Sequence, residues 1–239
     1  MGQFDYSTIP IGYYDKILSD GLEKNRGIQS AWHHLKFKTV KQSMGSYSKH
    51  LDVACGPGTF IGKYLDNRSE GIDVSENQIN FAKKNYSKHN TNFYVGNVNE
   101  NTIDFKKYDV ITLLEFIEHI SADEVDALLK TLYDMLNENG KIILTTPNYI
   151  GLWPILEKLV GVLSPVSYKD QHINRYTVNR IKKEFNYSSI TIKKYINYGI
   201  FMSLFNHNIG LKFHEIISKL FKNFFGYSLL IIINKTKTW

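Results

Sequence analysis

Two acidic residues, Asp52 and Asp73, end short apolar runs of the sequence, and a glycine-rich turn follows the first of them. The turn is Cys55-Gly56-Pro57-Gly58, and a helical pattern of apolar residues begins after it. A strand that enters a glycine turn and continues as a helix brings backbone N–H groups close to a ligand at the N-terminus of the helix. A carboxylate at the end of the next strand can bind ribose hydroxyls. Together these residues predict a site for a nucleoside.

The spacing of the glycines argues against a dinucleotide as the ligand. A dinucleotide-binding turn has glycines at its first, third and sixth positions. Gly56 and Gly58 occupy the first and third positions, but the sixth is Ile61. The missing third glycine weakens the interpretation as a pyrophosphate site.

A second group of polar residues, Glu115-Phe116-Ile117-Glu118-His119, follows another apolar run. In a helix, Glu118 and His119 lie three and four positions after Glu115, so the three side chains would share one face. His172 adds a second imidazole later in the chain. Two carboxylates and two imidazoles form a complete ligand set for a divalent cation such as Mg²⁺, Mn²⁺, Fe²⁺ or Zn²⁺. Without a metal, Glu118, His119 and His172 could instead act as catalytic acid–base groups or shape a pocket.

The elements that must position these groups alternate between strands and helices from residue 47 to residue 147. The apolar patterns predict strands at about 49–54, 70–74, 92–95, 108–114 and 141–146, and helices at about 58–66, 76–87 and 122–137. Alternation of this kind predicts a parallel sheet with helices on both faces. A ligand site is then expected beyond the carboxyl ends of the strands.

Three segments lie outside this core. Residues 1–46 show a helical rhythm and predict an N-terminal cap. Residues 148–180 form an insertion whose apolar part, 149–169, is expected to line the acceptor pocket, to dip into a membrane or only to pack on the core. Residues 181–239 predict two last strands and a basic amphipathic helix at 212–225. This helix could lie on an anionic membrane, and packing against the sheet is the favoured alternative.

Composition limits the class of protein. A chain of 239 residues with 43% hydrophobic residues and five prolines predicts one folded domain over 1–239. The formal net charge of +6 fits an anionic partner or simply a lysine-rich surface. The single cysteine, Cys55, allows no internal disulfide, the N-terminus lacks the layout of a signal peptide, and no apolar run has the length of a membrane span. We therefore expect a cytoplasmic protein, with or without peripheral contact with a membrane.

The ordered motifs resemble those of the class I S-adenosylmethionine-dependent methyltransferases. The first motif of that family is an acid followed by three small residues at alternate positions, and this chain departs from it only by having alanine at the first small position. The resemblance implies an α/β fold with a Rossmann-like seven-stranded mixed sheet, mostly parallel with the last strand antiparallel. Asn97 stands where the family more often has an aspartate that holds the adenine amino group. The resemblance implies S-adenosylmethionine as cofactor, bound by Asp52, Ala54, Cys55, Gly56, Gly58, Asp73, Val74, Asn97, Val98 and Leu114.

The second polar group resembles motifs of two branches of the family. The metal-dependent small-RNA 3′-end 2′-O-methyltransferases use a Glu-x-x-Glu-His motif with a distant histidine, and the ubiquinone-biosynthesis O-methyltransferases look similar at the same place. The resemblance implies metal ligands at Glu115, Glu118, His119 and His172. It also implies that the N-terminal cap closes over cofactor and substrate, with Tyr14, Trp32 and His33 as candidate substrate contacts.

We therefore expect an O-methyltransferase, metal-assisted or not, that acts on a small or lipid-linked acceptor with adjacent hydroxyls, as a monomer or homodimer. Two alternatives stay open. One is RNA 3′-end 2′-O-methylation, and the other is a non-catalytic, membrane-associated module of the same fold. The lysines are dispersed and form no dense basic stripe with interleaved aromatic residues, so the RNA alternative ranks lower.

Overall fold

A mixed sheet of seven strands forms the centre of the protein. The computed structural model describes residues 9–98, 107–150 and 172–236. The strands are β1 (His50–Val53), β2 (Ser69–Asp73), β3 (Thr91–Val95), β4 (Tyr108–Leu114), β5 (Leu136–Pro147), β6 (Ile190–Tyr195) and β7 (Ser228–Asn234). They are arranged in the order β3-β2-β1-β4-β5-β7-β6. Strands β1 to β5 pair in parallel, and β7 is antiparallel to both β5 and β6. The predicted fold class is confirmed.

Helices cover both faces of the sheet. They are α1 (Tyr13–Glu23), α2 (Ile28–Met44), α3 (Thr59–Tyr64), α4 (Glu76–Tyr86), α5 (Ala122–Asp134), α6 (Val178–Glu184) and α7 (His207–Phe221). Apolar residues of α2, α3 and α4 form the core on one face, and those of α5 and α6 form the core on the other. None of the helices in the described part of the chain is long and apolar enough to cross a bilayer.

The predicted N-terminal cap consists of α1 and α2. Buried polar contacts hold α1 against α4: the N–H of Gly12 donates to the side-chain oxygen of Gln78 at 3.1 Å, and the hydroxyl of Tyr86 donates to Asp15. These contacts fix the cap beside the strands that carry the glycine turn. The apolar insertion expected over 149–169 falls almost wholly outside the described residues, and the proposed limits of the sequence segments stay predictions.

The boundary between α5 and β5 differs from the prediction. The helix ends at Asp134 instead of Asn137, and β5 begins at Leu136 instead of Lys141. Leu136 is buried and pairs with Tyr108 of β4, after which the register shifts at an irregularity. The last turn of a helix leaves backbone C=O groups without hydrogen-bond partners, whereas pairing within the sheet supplies partners. The strand therefore extends back toward the helix.

Within the described residues, helix α7 packs mainly on other helical segments instead of the sheet, which corrects the favoured prediction for the basic amphipathic helix. It contacts the 3₁₀ segment Tyr198–Leu204 and α2. Of its residues only His207 and Gly210 are buried. The contact includes polar interactions, since the side-chain amide of Asn197 donates to the backbone oxygen of His214 at 3.1 Å and to the hydroxyl of Ser218 at 2.6 Å.

We expect Gly210→Ala to disturb the packing of α7 on the 3₁₀ segment and to lower the melting temperature. A Cβ at this position would lie 2.5 Å from the backbone nitrogen of Ser203. Overpacking of this kind costs about 1–3 kcal/mol, which outweighs the gain of about 1 kcal/mol in helix propensity. Asn208→Ala on the exposed side of the same helix turn is the matched control. Equal melting temperatures for the two variants would contradict the close packing described here.

Candidate functional site

The carboxylate of Asp73 fixes the glycine turn that follows β1. One of its oxygens accepts the N–H of Gly56 and the other accepts the N–H of Ser75, both at 2.8 Å. Ala54, Gly56 and Gly58 have φ angles of 54°, 53° and 71°, in the left-handed region where glycine is favoured. The end of β2 therefore holds both the turn after β1 and the first residues before α4.

The two glycines of the turn serve different purposes. A Cβ at Gly58 would lie 2.7 Å from the ring of Phe93 and 2.9 Å from the Cβ of Ala82, so packing requires glycine there. A Cβ at Gly56 would meet no atom within 4 Å. Gly56 therefore borders open space beside Asp73, where a ligand can approach the backbone closely.

Asp52 lies at the end of a buried chain of hydrogen bonds. Its carboxylate accepts the hydroxyl of Thr112 at 2.5 Å, and the Thr112 oxygen lies 2.8 Å from Nε2 of His50. Because Thr112 gives its one hydroxyl hydrogen to Asp52, its oxygen accepts from Nε2–H of His50, which fixes the tautomer of that ring. Burial lowers the pKa of His50 to about 3 and raises the pKa of Asp52 to about 7, while the Thr112 bond and the charge of Lys36 oppose the second shift.

Three predicted metal ligands come together after β4. Glu118, His119 and His172 each offer one ligand atom, and these atoms all lie within 4.8 Å of one another. The centroids of the two imidazole rings are 5.0 Å apart. Glu118 is 1% exposed, and its Oε2 accepts the hydroxyl of Thr146 at 3.0 Å. Within the described residues, its Oε1 is buried and has no hydrogen-bond partner.

The fourth predicted ligand, Glu115, does not belong to this group. The helix expected at Glu115 to His119 is absent: only Ile117–His119 forms a short 3₁₀ turn, and Glu115 has a φ of 53°. A left-handed residue directly after β4 changes the direction of the chain. Helical spacing therefore does not apply, and the group in the described part of the chain has three members instead of four.

Residues on both sides of the insertion support the three ligands. The hydroxyl of Tyr149 lies 2.5 Å from Nδ1 of His172. The N–H of Asn174 donates to the backbone oxygen of Glu118 at 3.0 Å, and its side-chain amide donates to the backbone oxygen of Ile120 at 2.6 Å. The segment that carries His172 is therefore tied by its backbone to the turn that carries Glu118.

Lys36 is a site residue that the sequence interpretation missed. It lies on α2 and is 5% exposed. Burial lowers its pKa, and the negative charges of Glu115, Glu118 and Asp52 oppose that shift. A buried ammonium group thus lies among the acids at the ends of β1 and β4. One feature of the sequence could have indicated that Lys36 is buried. It lies four residues after Trp32 and four before Val40, and thus in the apolar stripe of the predicted cap helix.

The predicted substrate contacts lie on the cap, in two environments. The rings of Tyr14 and His33 are 5.6 Å apart, and burial, aided by the charge of Lys36, holds the pKa of His33 well below its usual value. Trp32 instead contacts Tyr227, with ring centroids 5.2 Å apart. The role of these residues toward a substrate stays a prediction.

The other predicted cofactor contacts also differ in exposure. The side chain of Val74 is 67% exposed, whereas that of Val98 is 4% exposed and belongs to the core. Val98 can therefore contribute only its backbone to a ligand. Asn97 follows β3 at the same edge of the sheet, and Leu114 and Cys55 pack against the core beside the turn.

We expect the stability of the ligand-free protein to fall as the pH rises through the range in which Asp52 ionises. The folded state holds this proton up to about pH 7, whereas the unfolded chain loses it near the usual value of 3.8, so the unfolded state is favoured increasingly between these limits. Asp52→Asn keeps an acceptor for Thr112 but cannot ionise. From about pH 5 to about pH 8, the wild type should lose about 2–3 kcal/mol more unfolding free energy than the variant. Denaturant titrations at the two pH values measure this, and parallel losses would refute the assignment.

Comparisons with known proteins agree with this geometry. The family model described as a methyltransferase domain matches residues 23–188. A ubiquinone biosynthesis O-methyltransferase of Coxiella burnetii is 27% identical over 119 residues, which cover 48% of this chain and 50% of that protein. A ubiquinone biosynthesis O-methyltransferase of Pelagibacter ubique is 32% identical over 103 residues, or 42% of each chain. The matched region thus spans half or less of these curated relatives.

Solved structures show the same fold at low sequence identity. A SAM-dependent methyltransferase from Archaeoglobus fulgidus has a TM-score of 0.57 at 19% identity and covers 83% of this chain and 94% of its own. The plantazolicin methyltransferase BpumL in complex with SAH has a TM-score of 0.60 at 18% identity and covers 93% and 90%. The family model and the structural comparison agree. The chain belongs to the methyltransferase domain family and has the fold of the class I S-adenosylmethionine-dependent methyltransferases.

Proposed function

We propose that this chain transfers a methyl group from S-adenosylmethionine to a hydroxyl oxygen of a small or lipid-linked acceptor with adjacent hydroxyls. The observation that carries the proposal is the turn in which Asp73 holds Gly56 at 2.8 Å while Gly56 borders open space. Glu118, His119 and His172 form what we call the three-ligand group. Its first two members follow β4, which pairs directly with β1. The names of the curated relatives, which are O-methyltransferases, support oxygen as the acceptor atom.

The residues of the turn would hold the nucleoside part of the cofactor. Each carboxylate oxygen of Asp73 accepts one backbone N–H and retains a lone pair for a ribose hydroxyl. Asn97 and the backbone of Val98 are assigned to the adenine. Lys36 supplies a buried positive charge beside Asp52 and is assigned to the carboxylate of the methionine part.

The three-ligand group would prepare the acceptor. Methyl transfer is an in-line displacement, in which the bond from oxygen to the methyl carbon forms as the bond from that carbon to sulfur breaks. The hydroxyl proton must leave the acceptor, and His119 or His172 can accept it, because a neutral imidazole is a base of suitable strength near neutral pH. The chain must hold the acceptor oxygen about 3 Å from the methyl carbon, and the cap is assigned to this task.

The same group fits a divalent cation. Glu118 contributes a buried carboxylate whose Oε1 has no partner within the described residues, and the two histidines contribute nitrogen donors. A mixed nitrogen and oxygen set favours Mn²⁺, Fe²⁺ or Zn²⁺ over Mg²⁺. When bound, such a cation lowers the pKa of a hydroxyl that it contacts, and two adjacent hydroxyls could bind it together. Tyr149 would orient the ring of His172 for this role.

Gly56→Ala and Gly58→Ala should separate binding from stability. The first adds a methyl group to the open space beside Asp73, so affinity for S-adenosylhomocysteine should fall by about tenfold or more, while stability falls only by the cost of about 1 kcal/mol that a left-handed φ imposes on alanine. The second drives a methyl group into Phe93 and Ala82, so its main effect should be a lower melting temperature. Titration calorimetry and thermal unfolding measure the two effects. A wild-type protein that binds no S-adenosylhomocysteine would refute the proposed function.

His172→Ala and Glu115→Gln form a matched pair that tests the cation. The first removes a member of the three-ligand group, so heat of Mn²⁺ binding should disappear and methyl transfer to a catechol should fall by about a hundredfold. The second changes a carboxylate outside the group and should keep Mn²⁺ binding. If the wild type binds no Mn²⁺ but methylates the catechol in EDTA, the histidines act as bases alone and the cation is refuted.

A further inference from the structure

Helix α7 has its apolar stripe on the side that faces away from the protein. One face of the helix, at intervals of four, three and four residues, is buried or half-buried against the rest of the chain: His207, Leu211, His214 and Ser218. The opposite face repeats the same intervals and is apolar, with exposed fractions of 45%, 45%, 43% and 70% for Ile209, Phe213, Ile216 and Leu220. A helix that serves only to complete a core has the reverse arrangement.

Further exposed apolar side chains flank the helix in the sequence. Leu204 and Phe205 come just before α7 and are 56% and 73% exposed. After it, the rings of Phe224 and Phe225 contact each other at 5.3 Å, and Phe224 is 70% exposed. Large exposed apolar surfaces of this kind mark interaction sites in soluble proteins.

Positive charge borders the apolar outer face. Lys212 and Lys219 each precede a residue of the stripe by one position, which puts both on the same flank of the helix. The amino group of Lys194 on β6 lies 5.4 Å from the centre of the Phe224 ring. Glu215 also precedes a residue of the stripe and lies on the same flank, where it pairs with Lys219 at 2.8 Å. Lys212 and Lys194 thus carry the excess positive charge at this border. The border of the apolar face is therefore basic.

We propose that the outer face of α7 binds the surface of a bilayer that contains anionic lipids. An amphipathic helix with a basic flank lies in the plane of such a surface, with its apolar side chains below the headgroups and its lysines among the phosphates. A second copy of the chain is a poorer occupant, because each copy brings the same basic border and a net charge of +6. The proposal does not depend on methyl transfer.

Co-sedimentation with vesicles tests the proposal on the full chain. We expect binding to vesicles of phosphatidylcholine mixed with phosphatidylglycerol, far weaker binding to phosphatidylcholine alone, and loss of binding at high salt. Phe213→Ser combined with Leu220→Ser should weaken binding to the anionic vesicles by about tenfold or more. Ile11→Ser, which removes an isoleucine that is 58% exposed beside α4, is the control and should bind like the wild type.

A charge-reversal pair gives an independent test that keeps every apolar side chain. Lys212→Glu combined with Lys219→Glu should abolish binding to anionic vesicles. Lys83→Glu combined with Lys130→Glu makes the same change in net charge on the exposed surfaces of α4 and α5 and should largely retain binding. Binding of S-adenosylhomocysteine should stay unchanged, and the melting temperature should fall slightly and equally in both variants, because each replaces one exposed i,i+4 ion pair by a repulsion.

Three results would overturn the proposal. The first is equal binding to neutral and anionic vesicles or to neither. The second is equal loss of binding in the α7 variants and their controls. The third is a wild-type dimer in sedimentation velocity that the Phe213→Ser and Leu220→Ser changes convert to a monomer, because the outer face would then be occupied by a second copy.

Discussion

Buried charge at the carboxyl edge of the sheet is the constraint on which the site depends. Asp52, Glu118 and Lys36 are each at most 5% exposed, and burial of an ionised group is costly unless other charges and hydrogen bonds compensate. Thr112 and Thr146 each donate a hydroxyl to one of the two carboxylates, and Lys36 approaches both with its positive charge. Burial still raises the pKa of both carboxyl groups, so the compensation by hydroxyls and by Lys36 is only partial.

The topology explains why these groups lie together. The chain runs outward from β1 to β2 and β3, then returns to β4 on the other side of β1. The ends of β1 and β4 are therefore neighbours, although 60 positions separate Asp52 from Thr112. Ligands bind at this kind of switch point in open parallel sheets, because the loops from the two strands diverge there. The glycine turn follows β1, and Glu118 and His119 follow β4.

Helix α1 of the cap and helix α7 each make polar contacts with neighbouring elements, in addition to the apolar packing of α2 on the sheet. The contacts of Gly12 and Asp15 hold α1 against α4, on the side of the glycine turn. The hydrogen bonds of Asn197, which follows β6, hold α7 against the end of that strand. For α7, directional hydrogen bonds on its inner face leave the apolar side chains of the outer face available to a surface outside the protein.

The sequence by itself determined the elements and the chemistry of the glycine turn. Strand and helix periods, and the left-handed φ angles that Gly56 and Gly58 supply, depend on near neighbours in the chain, so they can be predicted from local residue types. The order of acid, glycines and second acid likewise predicted that Asp73 would lie beside the turn. The backbone bonds that it accepts there are the physical basis of that pattern.

Only the tertiary structure decided which predicted groups meet. Glu115 has a left-handed backbone conformation and lies outside the group formed by Glu118, His119 and His172, and no local sequence pattern predicted this. Lys36 becomes a site residue because folding brings it close to acids that follow it far along the chain. Helix α7 shows its apolar face to the outside, and Asn197 binds the opposite face. These outcomes depend on contacts between residues far apart in sequence, where packing and charge, not local propensity, select the arrangement.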